Sequence, residues 1–86
     1  MKITYQHTFA CKCPVDESTI VYVLQIVTSE RIMAERIVQA CDEWPVGLHE
    51  DIAEDLQRQL GGFQTLRAQH GQVVIVTETQ PEAAEV

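Results

Sequence analysis

From residue 2 to residue 13 the chain alternates at every step, with Ile3, Tyr5, His7, Phe9, Cys11 and Cys13 set against Lys2, Thr4, Gln6, Thr8, Ala10 and Lys12. A helix repeats its faces about every 3.6 residues, so a period of two over this length commits the segment to a β-strand with one face turned inward. Pro14 ends the strand because it cannot donate to a ladder, and Val15, Asp16, Glu17 and Ser18 supply turn chemistry. The next run, Thr19–Thr28, is β-branched or aromatic at most positions and apolar on both faces. Such a strand is expected to be covered twice, by a helix on one side and by a second copy of the chain on the other.

The period then changes. Ser29 is a candidate cap for a helix over 29–44, with Met33, Ile37, Ala40, Cys41 and Trp44 as its inner stripe and Ile32 beside them. Pro45 and Gly47 close it. Within 47–62, Leu48, Ile52, Leu56 and Leu60 recur every fourth residue along one side of a second helix, while Glu50, Glu54, Asp55, Gln57 and Arg58 take the other sides. Asp51 and Glu54 have capping-box spacing, and Gly61 with Gly62 supplies the stop. Phe63–His70 and 72–79 read as two strands joined at Gly71 into a hairpin, and 80–86 as a flexible acidic tail. The predicted order is β-β-α-α-β-β. It describes an α+β domain over 1–79, a four-stranded antiparallel sheet with both helices on one face.

Composition narrows the function. A chain of 86 residues buries a limited core, so a homo-oligomer is expected. Thirteen acidic residues against six basic ones, a net charge of -7 and no Lys/Arg cluster argue against direct nucleic-acid binding, which needs clustered cations. The start at Met1-Lys2-Ile3 has no leader pattern and no stretch is long enough to span a bilayer, so a cytoplasmic protein without membrane contact is expected. Three cysteines are an odd number and too few for a disulfide framework; they are expected as free thiols or ligands.

The order of elements resembles the tunnelling fold, the T-fold of pterin- and purine-handling enzymes, whose subunits join sheet to sheet into barrels and bind ligand between them. Three stretches carry a narrower likeness: Phe9-Ala10-Cys11-Lys12-Cys13-Pro14, Thr19-Ile20-Val21-Tyr22 and Gly47-Leu48-His49-Glu50-Asp51. They are similar to the NADPH-dependent 7-cyano-7-deazaguanine (preQ0) reductase family of queuosine biosynthesis. That family has a Phe-x-x-x-Cys-Pro strand end, a Thr-Ile-x-Tyr strand and a Phe-His-Glu-Asp helix start. The likeness runs over about 9–75, in short islands.

The resemblance implies a purine- or pterin-like base bound at a subunit interface and assigns roles residue by residue. Cys13 would add to a nitrile carbon to form a thioimide, a task suited to a soft thiolate. Glu50 would hold the guanine-like edge, because two carboxylate oxygens match adjacent N–H donors. His49 would stand near the reacting carbon as a polar or proton-handling group. The family's acid is an Asp in a longer loop after Cys-Pro; here Asp16 or Glu17 would serve. Its nicotinamide motif, Glu-Ser-Lys-Ser-x-Lys, would fall at 34–39, where both lysines are missing, so NADPH and hydride transfer are not expected. Shortened relatives that keep the Cys without this motif use the same thioimide chemistry to form an amidine on tRNA.

Other readings stand beside these. Cys13 is equally a small buried hydrophobe at a strand end, and Cys11 and Cys41 read as core. A zinc site from His7, Cys11, Cys13 and His49 fits no standard ligand spacing, so no metal is assigned. His49 and Glu50 also suit ordinary helix-start chemistry. His7 reads as a core histidine, His70 as a turn residue and Trp44 as a plug between helix and sheet. A non-catalytic binding or assembly module, and metal-dependent ring chemistry on a pterin or GTP, are the alternatives to the nitrile reading.

Overall fold

A computed structural model describes residues 1–81; of the expected tail, 82–86 lie outside the described residues. The elements run β1 (Ile3–Lys12), β2 (Thr19–Thr28), α1 (Ala34–Asp42), α2 (His49–Leu60), β3 (Phe63–His70) and β4 (Val73–Thr79). The four strands form one open antiparallel sheet in the order β1-β2-β3-β4, which makes β1 and β4 its edges.

Register explains where the core lies. Phe9 pairs with Tyr22 and Cys11 with Ile20, Tyr22 pairs with Ala68 and Leu24 with Leu66, and Ala68 pairs with Ile75. Side chains directly opposite one another share a face. Phe9, Cys11, Ile20, Tyr22, Leu24, Ile26, Leu66 and Ala68 therefore form one apolar surface, against which Ile37, Ala40 and Cys41 of α1 and Ile52, Ala53 and Leu56 of α2 are buried. Ile52 and Leu56 lose all exposure, a change of about 1.5–3 kcal/mol each by transfer from water.

The opposite face of the sheet stays open. Val21, Val74 and Val76 are exposed there, interleaved with polar neighbours such as Arg67, which pairs with Val23 and Val76. The doubly apolar β2 is thus covered on one side by this chain's own helices and, among the described residues, on that side alone.

Both helices depart from the expected ends. α1 starts at Ala34 instead of Ser29, with Met33 as an N-cap that makes no side-chain capping bond. The intervening segment lies mostly exposed at the edge of the core, where the Ile32 amide donates to the Tyr5 hydroxyl at 3.0 Å. That bond satisfies the Ile32 amide outside the helix, so tertiary contact overrides the cap signal. Met33 is left exposed and Trp44 follows the helix instead of ending its stripe. α2 begins at His49 behind Leu48, which caps without a side-chain bond, so the Asp51–Glu54 capping box does not form. The inner stripe of α2 is His49, Ile52, Ala53 and Leu56, with Leu48 exposed.

The stop is as expected. Gly61 ends α2 at φ 67°, a conformation that costs a glycine little, and its amide bonds the Gln57 carbonyl at 2.9 Å. Gln64, buried on β3, then donates to the Leu56 carbonyl at 3.0 Å and the Gly61 carbonyl at 2.7 Å, tying β3 to the end of α2. The β3–β4 hairpin turns at Gly71 and Gln72, with Gly71 at φ 64°. No helix among the described residues is long and apolar enough to cross a membrane.

Candidate functional site

Two backbone hydrogen bonds strap the linker between the helices to the end of β1. The Lys12 amide donates to the Pro45 carbonyl at 2.9 Å, and the Gly47 amide donates to the Lys12 carbonyl at 3.1 Å. The start of α2 is therefore carried to the residue next to Cys13. Gly47 is required at this crossing, because a Cβ there would meet the Trp44 ring at 2.5 Å. Trp44 is in turn held by its indole N–H, which donates to Asp55 Oδ2 at 2.8 Å. One side of the site is thus fixed by α2 and its approach.

The loop after β1 fixes the other side. The Cys13 amide donates to the Ser18 carbonyl and the Glu17 amide to the Cys13 carbonyl, each at 2.9 Å, closing the loop on itself. Glu17 adopts φ 61°, a left-handed conformation uncommon for a residue with a side chain. Inside this loop Asp16 Oδ1 accepts the Ser18 amide at 3.0 Å and the Ser18 hydroxyl at 2.7 Å. From the end of β3, His70 Nε2–H donates to Asp16 Oδ2 at 3.0 Å.

Between these walls lies a cleft of about 270 Å³. Ile20, Tyr22, Ala68 and Ile75 give it apolar surface, and Cys13, Asp16, His49, Glu50 and His70 give it its chemistry. Ligand atoms of Cys13, Asp16 and His70 lie within 4.8 Å of one another.

Against known protein families, curated proteins and solved structures, the chain finds no match.

Asp16 is not a free acid. Hydrogen bonds from the Ser18 hydroxyl and amide, then from His70, hold its carboxyl well below the usual carboxylate range, with a smaller pull from the Cys13 thiol. It is an ionised acceptor at neutral pH, which makes it a poor proton donor. His49 differs. It is 6% exposed, its Nε2 lies 3.0 Å from Thr77 Oγ1, and its buried Nδ1 has no hydrogen-bond partner. Burial lowers its pKa, while the Glu50 carboxylate and the Leu66 carbonyl oppose that shift without giving Nδ1 a bond of good geometry. The imidazole is neutral at pH 7. Tyr22 stacks on Phe9 at 5.3 Å between ring centroids and meets His49 at 5.4 Å. Burial, then the charges of Cys11, Cys13 and Glu50, push its phenol up to about 12, so it stays protonated.

All four residues given roles from the sequence, Cys13, Asp16, His49 and Glu50, line this cleft. Glu17 does not line it; its side chain is exposed. The His7, Cys11, Cys13 and His49 quartet does not converge; among the described residues, the donors that do are Cys13, Asp16 and His70. His7 stacks on Phe9 with ring centroids 6.3 Å apart, and the buried Cys11 thiol points to the Lys12 and Gly47 carbonyls at 3.6 and 3.9 Å. Cys41 lies in the core, where burial pushes its thiol up to about 12, as its place on the α1 stripe implies.

His70 is the residue that pattern reading passed over. It follows Gln69 at a strand end before a glycine turn, where a histidine carries no signal. Its partner Asp16 is 54 residues away in the chain.

Proposed function

We propose that this cleft binds one planar purine-like base and that Cys13 adds covalently to a nitrile carried by it, as in a 7-cyano-7-deazaguanine. The observation that carries the reading is the convergence of Cys13, Asp16, His49 and Glu50 in a single small cleft. Its size, about 270 Å³, lies just below the range of about 300–1,000 Å³ typical of sites for drug-sized ligands, a scale suited to one bicyclic base. The apolar surface of Ile20, Ala68 and Ile75 takes the ring faces, and Glu50 accepts hydrogen bonds from adjacent ring N–H and amino groups.

In the chemical step Cys13 Sγ forms a bond to the nitrile carbon. One C≡N π bond breaks and its electron pair goes to nitrogen, which takes up the proton that the thiol gave away. The product is a thioimide, with every atom of both reactants retained. Because Asp16 is held ionised, it orients His70 through the 3.0 Å hydrogen bond, and His70 carries the proton between sulfur and nitrogen. His49, whose Nδ1 is buried, shapes the wall of the cleft beside Tyr22.

The parent architecture under this reading is the T-fold, supported by the β-β-α-α-β-β order and the open sheet. Val15, Leu48 and Glu50 line the cleft yet face solvent, which leaves a side for a second copy to close. The 34–39 segment has no lysine, so hydride delivery is not part of the proposal. Aminolysis of the thioimide to an amidine is the route onward that needs no reductant.

The test is intact mass after mixing the protein with 7-cyano-7-deazaguanine. An adduct equal to the whole base, absent from Cys13→Ala, supports the reading. A protein that binds guanine or a pterin by calorimetry yet forms no adduct is instead a binding module. One that binds none of them has another function.

A further inference from the structure

We infer that Cys13, Asp16 and His70 form a binding site for a thiophilic divalent cation, with Zn²⁺ the best-suited ion. The three residues supply one sulfur, one oxygen and one nitrogen donor, all within 4.8 Å of one another. Two light donors about 2.0–2.1 Å from a tetrahedral zinc lie roughly 3.3 Å apart, and a thiolate and an imidazole roughly 3.6 Å apart. The Asp16–His70 pair, 3.0 Å apart through a hydrogen bond, needs to open by about 0.3 Å to meet the first condition. The sulfur, within 4.8 Å of both other donors, needs an inward shift of about 1.2 Å at most to meet the second.

The site is supported from behind. Ser18 clamps Asp16 Oδ1 with its hydroxyl and amide, leaving Oδ2 directed at His70, as outer hydrogen bonds orient metal-binding carboxylates. The Cys13 and Asp16 backbones are held in one closed loop by the Ser18 and Glu17 bonds, which keeps these two donors near each other. Three protein ligands leave the fourth position facing the cleft, the arrangement of zinc sites that admit a further ligand. A chain of net charge -7 favours the approach of a cation. On binding, the thiol proton leaves to solvent and the His70 proton moves off Nε2 to free its lone pair.

Cation and nitrile compete for the same sulfur. Bound Zn²⁺ would therefore switch off thioimide formation, and removing the ion would restore it. This regulatory half rests on the nitrile reading; the cation site does not.

Anaerobic titration of the full chain with Co²⁺ reads the site directly. The expected result is one equivalent bound, with a near-ultraviolet thiolate-to-cobalt band and visible bands of tetrahedral intensity, displaced by Zn²⁺. Cys11→Ala and Cys41→Ala keep the thiolate band. Asp16→Asn and His70→Ala, at partly exposed positions, fold and weaken binding at least about tenfold, and Ser18→Ala weakens it by about 10–100-fold through Asp16. A missing thiolate band overturns the inference, and so does a band unchanged in Asp16→Asn and His70→Ala. In a separate arm, Zn²⁺ blocks the nitrile adduct and a chelator restores it. Failure of any adduct to form without metal would refute the nitrile reading while leaving the cobalt result standing.

Discussion

His70 Nε2 sits 3.0 Å from Asp16 Oδ2, joining the end of β3 to the loop that closes β1. Ser18 holds the same carboxylate from the other side, so Asp16 is an ionised acceptor, and in the proposed nitrile chemistry His70 is the group that carries the proton. His70→Gln is therefore expected to slow adduct formation by about 10²-fold or more and to change its pH profile. Stopped-flow measurement of the rate from pH 6 to 9, compared with Asp16→Asn, checks this; an unchanged profile assigns the proton elsewhere.

Glu50 stands beside buried His49 at the first turn of α2, in the same cleft as Cys13. If it accepts from the base, Glu50→Gln loses charge-assisted hydrogen bonds of about 1.5–3 kcal/mol, roughly 10–100-fold in affinity. Calorimetry with guanine measures that loss. The mutation changes an exposed side chain, so thermal stability is expected to move little.

His49 makes stability depend on pH with a fixed sign. Its folded pKa lies below the ordinary value of 6.5 because burial disfavours the cation. As pH falls through the unfolded value, the unfolded chain takes up a proton that the folded one refuses, and stability drops. Urea midpoints are expected to fall between pH 7.5 and 5.5, and the difference between the wild type and His49→Asn isolates this residue. Asp16 has the same sign in a more acidic window, below about pH 4.

Gly47 and Trp44 form a size-matched pair. Gly47→Ala pushes a methyl into the indole and is expected to cost about 1–3 kcal/mol by denaturant unfolding. A second change, Trp44→Leu, makes room for the methyl and is expected to lessen the penalty of the alanine, which a double-mutant cycle reads as coupling.

Gln64 is 2% exposed and meets two carbonyls at the end of α2. Gln64→Leu keeps the volume but leaves the Leu56 carbonyl without this donor, at an expected cost of about 1–3 kcal/mol. Hydrogen exchange is expected to quicken in the last turn of α2 before the rest of the helix.

Much of this architecture was legible because burial repeats along each element. The alternation ending at Cys13 became β1, the fourth-residue apolar spacing placed Ile52 and Leu56 inward, and Gly61 stopped α2 where a positive φ was needed. Ends set by contact with another element were not legible. Ser29 looked like a cap, but the Tyr5 hydroxyl claimed the Ile32 amide first, and the Asp51–Glu54 box lost to a helix that began two residues earlier.

Periodicity and turn residues alone specified four strands, two helices and their order, and the inward face of β1. The resemblance in three short stretches, not periodicity, pointed to Cys13, Asp16, His49 and Glu50. Folding in three dimensions selected which of these chemistries meet, bringing His70 to Asp16 and the start of α2 to Lys12. The reason is that a local pattern reports solvent exposure one element at a time. Convergence depends on strand register summed over the whole sheet, where a slip of one residue would turn His70 to the opposite face.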